Sequence, residues 1–139
     1  MDRLVATTEA AIAGAGSDPA ERLRAAVAAH VRFHIEFQRQ SFVGNSELRS
    51  LTSTAPERVV RMRHHQRAIF DAVVASGIEG GRFSVPFPVE AARGLVTMCT
   101  AVATWYQRDG ALAPAEIVDR NCALALFMVG HNHPQEEER

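Results

Sequence analysis

Lysine is absent from this chain: all fifteen basic side chains are arginines. Tryptophan and tyrosine occur once each, and cysteine only twice in 139 residues. Two cysteines, Cys99 and Cys122, cannot build the disulfide framework of a small secreted domain. Both fall in apolar helical patterns, so each reads as a reduced, buried thiol. The longest apolar run, residues 122–129, is far shorter than the roughly 20 residues a membrane helix needs. The first residues hold no apolar stretch of signal-peptide length. These shortages predict a soluble cytoplasmic protein with no membrane partner. The formal net charge is −1, so no overall basic field draws the chain to nucleic acid. The missing lysines, set beside abundant alanine, read as a GC-rich coding sequence. Catalytic signatures are missing too. There is no nucleophile with a base, no carboxylate pair on an apolar face, and no Lys-Ser/Thr after the glycines of 77–81. No enzyme and no cofactor is expected.

What is present is a helical pattern along almost the whole length. Hydrophobic residues make up 47% and charged residues 22%, the usage of an ordinary globular domain. The chain reads as one domain over 1–130 with a polar tail over 131–139. No segment alternates long enough for a strand pair. A first helix covers residues 2–13 and stops at Gly14 and Gly16. Asp18-Pro19-Ala20-Glu21 then offers a capping residue, a proline at the first helical position and an early acid. The second helix is predicted to run to about Phe42. Ala25, Ala29, Arg32, Glu36 and Arg39 share its wet face, and the wide apolar remainder marks a central helix. Gly44-Asn45 is read as a break, followed by one or two turns over 46–51. Thr54 and Glu57 have capping-box spacing. Val59, Met62, Gln66, Ile69 and Val73 repeat at helical spacing up to Ser76-Gly77. Residues 79–88 form a loop, 89–107 a further helix, and 114–129 the last, ended by Gly130. The fold class predicted is all-α, a bundle of about six helices.

The last two helices are apolar on more than one side, and such helices need partners all round. A two-fold homodimer, with two helices per subunit in a four-helix bundle, would cover the second face. The expected interface is Ala92, Val96, Cys99, Ala103 and Tyr106 with Ile117, Asn121, Leu124 and Met128.

Two runs carry a resemblance: "TWYQRDGALAPAEIVDRN" over 104–121 and "HVRFHIEFQRQSFVGNSELRSL" over 30–51. In order and spacing they resemble the C-terminal ligand-binding domain of TetR-family transcriptional regulators. The likeness through 42–51 is to actinobacterial regulators of lipid and sterol catabolism. The resemblance implies an effector-binding and dimerisation domain of a repressor whose last two helices pair with their symmetry mates. It also implies an N-terminal helix-turn-helix domain, for which nothing before Asp18 has room. DNA binding is therefore expected of a parent protein and not of this chain alone.

Residues for a hydrophobic effector follow from side-chain type. Phe33, His34, Phe37, Gln38, Phe42, Met62, Gln66, Ile69, Phe70, Met98, Val102 and Trp105 combine large apolar groups with a few polar ones, as a ligand pocket does. An acyl-CoA-type ligand is one candidate. The basic helix with Arg58, Arg61, Arg63, Arg67, His64 and His65 could meet its phosphates, or could be a solvated face. His30 and His34, one turn apart, could instead start a metal site, with His65 or Gln66 as a third ligand. A zincin would carry glutamate where Val31 stands, so that motif fails. A third reading is an interaction module with no cavity.

Overall fold

The computed structural model describes residues 2–49 and 57–131. Most of these residues are helical, and none is in a strand. The elements are α1 (Asp2–Ala13), α2 (Pro19–Glu36), α3 (Gln38–Arg49), α4 (Glu57–Glu79), α5 (Pro88–Thr100), α6 (Val102–Trp105) and α7 (Pro114–Met128). No helix among the described residues is long and apolar enough to cross a membrane.

Helix α2 is the axis of the bundle, packing against all six other helices. Its start is built as the sequence indicates. Pro19 takes the first helical position, and the Asp18 carboxylate accepts from the Ala20 amide at 3.2 Å. That bond supplies one of the donors a helix N-terminus leaves unpaired. Leu23, Val27 and Val31 on α2 are fully buried, against Phe70 and Val74 of α4 and Leu95 of α5. Burying one such side chain is worth about 1.5–3 kcal/mol. Ala29, expected on the wet face, is buried. A helix contacted from every direction has little wet face to give.

Four boundaries differ from the sequence reading. Helix α2 stops at Phe37 (φ −110°, ψ 41°), five residues before the predicted end. The Gln38 carboxamide holds this corner by donating to the Ala103 and Tyr106 carbonyls at 3.2 and 2.6 Å. It thereby fastens the start of α3 to the end of α6. Gly44 does not break the chain, because α3 continues through it. Helix α4 also passes through Gly77. It ends at Gly81 (φ +72°), where Arg82 N–H donates to the Gly77 carbonyl and Gly81 N–H to that of Ile78. That pair of bonds is the Schellman arrangement, which requires a left-handed residue. The last difference is that the predicted helix over 89–107 is divided at Ala101 into α5 and α6. Gly130 (φ +60°) ends α7 by the same Schellman device, as the sequence indicates. The proposed capping box at Thr54 and the tail beyond His131 lie outside the described residues.

Cys99 and Cys122 are both free and buried. Burial, with Cys122 close by, pushes the Cys99 thiol up to about 12.

Candidate ligand cavity

A cavity of about 820 Å³ lies between α1, α2, α3, α4 and α5. Arg3, Leu4 and Val5 of α1 form one wall, and Val59, Met62, Arg63 and Gln66 of α4 another. His30, Phe33 and His34 come from α2, with Phe37 at its corner, and Val96 and Thr100 from α5. Arg39, Gln40, Ser41, Val43 and Gly44 of α3 complete the lining. The corner at Phe37 is what turns α3 across this space. Phe33 and Phe37 pack at 4.9 Å between ring centroids, and the Arg3 guanidinium lies 5.2 Å from the Phe37 ring. The volume sits within the range of roughly 300–1,000 Å³ that holds small organic ligands.

The cavity floor is polar and connected. Gln66 Nε2 donates to Thr8 Oγ1 at 2.8 Å and lies 3.1 Å from His30 Nδ1. The Thr8 hydroxyl donates back to the Leu4 carbonyl at 2.7 Å. His30 Nε2 lies 2.8 Å from Thr100 Oγ1. With Gln66 as donor, His30 Nδ1 accepts and its Nε2–H donates to Thr100. His34 Nδ1 lies 2.8 Å from the His30 carbonyl, which can only accept, so His34 carries its proton on Nδ1. The two imidazoles stack at 4.4 Å and 16°. Burial, reinforced by the nearby His34 and the Arg63 guanidinium, holds His30 well below the ordinary histidine range. Burial lowers His34 as well, although its bond to the His30 carbonyl works the other way. Both rings are therefore neutral near pH 7.

Of the twelve residues expected to face an effector, Phe33, His34, Phe37, Met62 and Gln66 line the cavity. The other seven do not. Phe70 and Val102 are fully buried in the core, and Ile69 and Met98 pack against it. Gln38 is engaged by α6. Phe42 and Trp105 are about half exposed. Size and apolarity nominate core and pocket alike, so these side chains were not separable by type. Cavity residues the sequence did not nominate include Arg3, Val59 and Thr100. Their one signal is helical register, since Val59 shares the Met62–Gln66 stripe.

The expected dimer residues divide as well. Ala92, Cys99, Ala103, Ile117 and Asn121 are buried within the protomer. Their faces are taken by packing of α5 with α6 and α7, and of all three on α2. Val96 faces the cavity, and Tyr106 packs on the core. Leu124 and Met128 remain outside, joined by Phe127, which is 88% exposed, and by Phe87 and Val89 at the start of α5. The Ser84 amide, which donates to the Val129 carbonyl at 3.0 Å, brings those two helix ends together.

The metal reading loses its geometry. Both nitrogens of His30 are occupied by hydrogen bonds, and His65 is paired with Glu9 at 2.9 Å. Among the described residues no three His, Cys, Asp or Glu side chains gather. A module with no cavity does not fit either. On the basic helix, Arg61 pairs with Glu57 at 3.8 Å in solvent, whereas Arg63 turns toward the cavity.

Residues 16–129 match the family model described as "Tetracyclin repressor-like, C-terminal domain". No curated protein matches the sequence significantly. Among solved structures, a bacterial regulatory protein in the TetR family from Rhodococcus is similar, with a TM-score of 0.79 and 26% identity. That match covers 94% of this chain and 70% of the other. The TetR-family transcriptional regulator PfmR from Thermus thermophilus superimposes with a TM-score of 0.76 at 22% identity, over 95% of this chain and 70% of that one. A regulator of the TetR/AcrR family from Thermobifida fusca gives 0.76 at 21%, over 95% and 68%. The last two likenesses concern the fold alone. With the match spanning most of the sequence, the chain belongs to the TetR family of regulators, as their C-terminal domain.

Proposed function

We propose that the chain is the effector-binding and dimerisation part of a TetR-like transcriptional repressor, and that its effector is a hydrophobic small molecule. The observation that carries this reading is the cavity of about 820 Å³, walled mainly by Val5, Phe33, Phe37, Val43, Val59, Met62 and Val96. Apolar surface of this extent, left unfilled by the chain's own side chains, favours an apolar occupant. An acyl-CoA-type molecule is the candidate we favour. Its chain would lie along Phe33 and Met62, with its anionic end toward Arg3 and Arg39.

The floor suggests how occupancy is transmitted. Helix α1 is joined to α4 through one buried polar link, Thr8 to Gln66. A ligand that moves Gln66 or His30 biases where α1 sits, which is a population shift between two arrangements of that helix. The exposed apolar side chains of α5 and α7 would meet their symmetry mates in a homodimer. A thermal-shift series with acyl-CoA esters of increasing chain length tests the reading. Binding to the folded chain raises the melting temperature by mass action, and the rise should grow with chain length. A series in which no member changes it would refute the reading.

A further inference from the structure

The charge of the cavity is one-sided. The chain as a whole is nearly balanced, with fifteen arginines against sixteen acidic side chains. The described residues that line the cavity include three arginines and no aspartate or glutamate. Arg3 comes from α1, Arg39 from α3 and Arg63 from α4. Like charges drawn from three helices to one space repel, and an anion among them relieves that repulsion. Arg3 and Arg39 are exposed, where water and salt screen a charge strongly, whereas Arg63 is partly buried. The Arg63 guanidinium lies against α3: a Cβ placed on Gly44, itself a lining residue, would stand 3.7 Å from Arg63 Nη2. It is also close enough to His30 and His34 on α2 for its charge to disfavour protonation of both. Of the three cations, Arg63 is thus the one whose field acts inside the cavity.

We propose that the ligand of this cavity is an apolar molecule bearing an anionic group, a carboxylate or a phosphate, and that Arg63 binds this group and selects for it. This assignment rests on the cavity reading above and names the side chain that grips the anionic end. Arg3 and Arg39 draw the anion in from solvent, and Arg63 holds it. A carboxylate or phosphate receives charge-assisted hydrogen bonds from the planar guanidinium, two at a time where the geometry allows. Partial burial strengthens those bonds relative to the same contact in water. A hydroxyl head receives only the weaker bond made to a neutral acceptor. An ammonium head meets three like charges and is repelled.

Probes with one apolar chain and different heads test this: decanoate, decyl phosphate, decanol and decyltrimethylammonium. Dissociation constants would be measured by calorimetric titration into the unaltered chain and into Arg63→Gln. At least one of the two anions is expected to bind roughly tenfold more tightly than decanol, the difference between a hydrogen bond to a charged group and one between neutral groups. Decyltrimethylammonium should bind more weakly than decanol. Whichever anion binds more tightly tells a carboxylate ligand from a phosphate one. The Arg63→Gln variant should lose the preference for anions while keeping its affinity for decanol. In the unaltered chain the ¹⁵N resonance of Arg63 Nε should shift on adding the anion and move less with decanol, which gives an answer even where the variant fails to fold. Equal affinities for anions and alcohol would overturn the proposal while leaving the apolar cavity standing. A preference that survives Arg63→Gln, or an Arg63 resonance that the anion leaves in place, would overturn it as well. If no probe binds, the proposal and the cavity reading fail together.

Discussion

Replacing Phe127 with arginine should separate the dimer without harming the protomer. Phe127 is 88% exposed in the single chain, and its neighbours Leu124 and Met128 are 56% and 37% exposed. Burying a phenylalanine against a partner is worth about 1.5–3 kcal/mol. A two-fold axis presents each residue twice, so the dimer would lose about 3–6 kcal/mol from this position. That corresponds to a dissociation constant weaker by roughly two to four orders of magnitude. The arginines would also face each other as like charges. The protomer itself loses little, because Phe127 contributes little buried surface to it. Arginine at the C-terminal end of α7 also suits the negative pole of the helix. Sedimentation equilibrium over a range of concentrations measures the change, with circular dichroism confirming the helix content. A variant that dimerises as tightly as its parent would refute the placement of the interface. A parent chain that is monomeric at micromolar concentration would refute the dimer.

Two further perturbations probe the interior. His30 and His34 are held below the unfolded histidine value near 6.5, so the unfolded chain takes up protons that the folded chain refuses. Stability should therefore be full above about pH 6.5 and fall as pH drops below it, by at most about 1.4 kcal/mol per pH unit for each ring. Urea midpoints at neutral and mildly acidic pH check this; stability that rises on acidification would contradict it. Gly77→Ala would place its Cβ inside the Phe83 ring, which is itself buried. Despite a better helix propensity of about 1 kcal/mol, the net effect should be a loss of about 1–3 kcal/mol. Urea unfolding should also show Phe83→Leu restoring part of it.

Local chemistry made some of this architecture readable in advance. Asp18-Pro19 and Gly130 act through their own backbone geometry, so the start of α2 and the end of α7 were visible. Phe37 carries no such signature. Its corner depends on Gln38 reaching α6, across 68 residues of sequence to Tyr106. Three glycines stand near the end of α4, and only Gly81 adopts the left-handed conformation, because Gly77 is needed for close approach of Phe83. In α7 the apolar residues surround the helix beyond Asn121, so periodicity could not say which stripe its own core would consume. The core took Ile117, Asn121 and Ala125, leaving Leu124 and Phe127 outside. For the cavity, side-chain type was a sound guide to Phe33 and Met62 but failed for Phe70 and Trp105. The direction a large apolar side chain points is settled by helix packing. The His30–Gln66–Thr8 network joins three helices, and no spacing rule connects residues so far apart.

The central claim is that a ligand enters the space between α1, α2, α3, α4 and α5. Methyl-resolved NMR of the chain during titration with an apolar ligand such as dodecanol tests it most directly. Saturable shifts of the Leu4, Val59, Met62 and Val96 methyls are expected, with those of Leu124 and Met128 unmoved. Shifts confined to Leu124 and Met128, or none at saturating ligand, would contradict it.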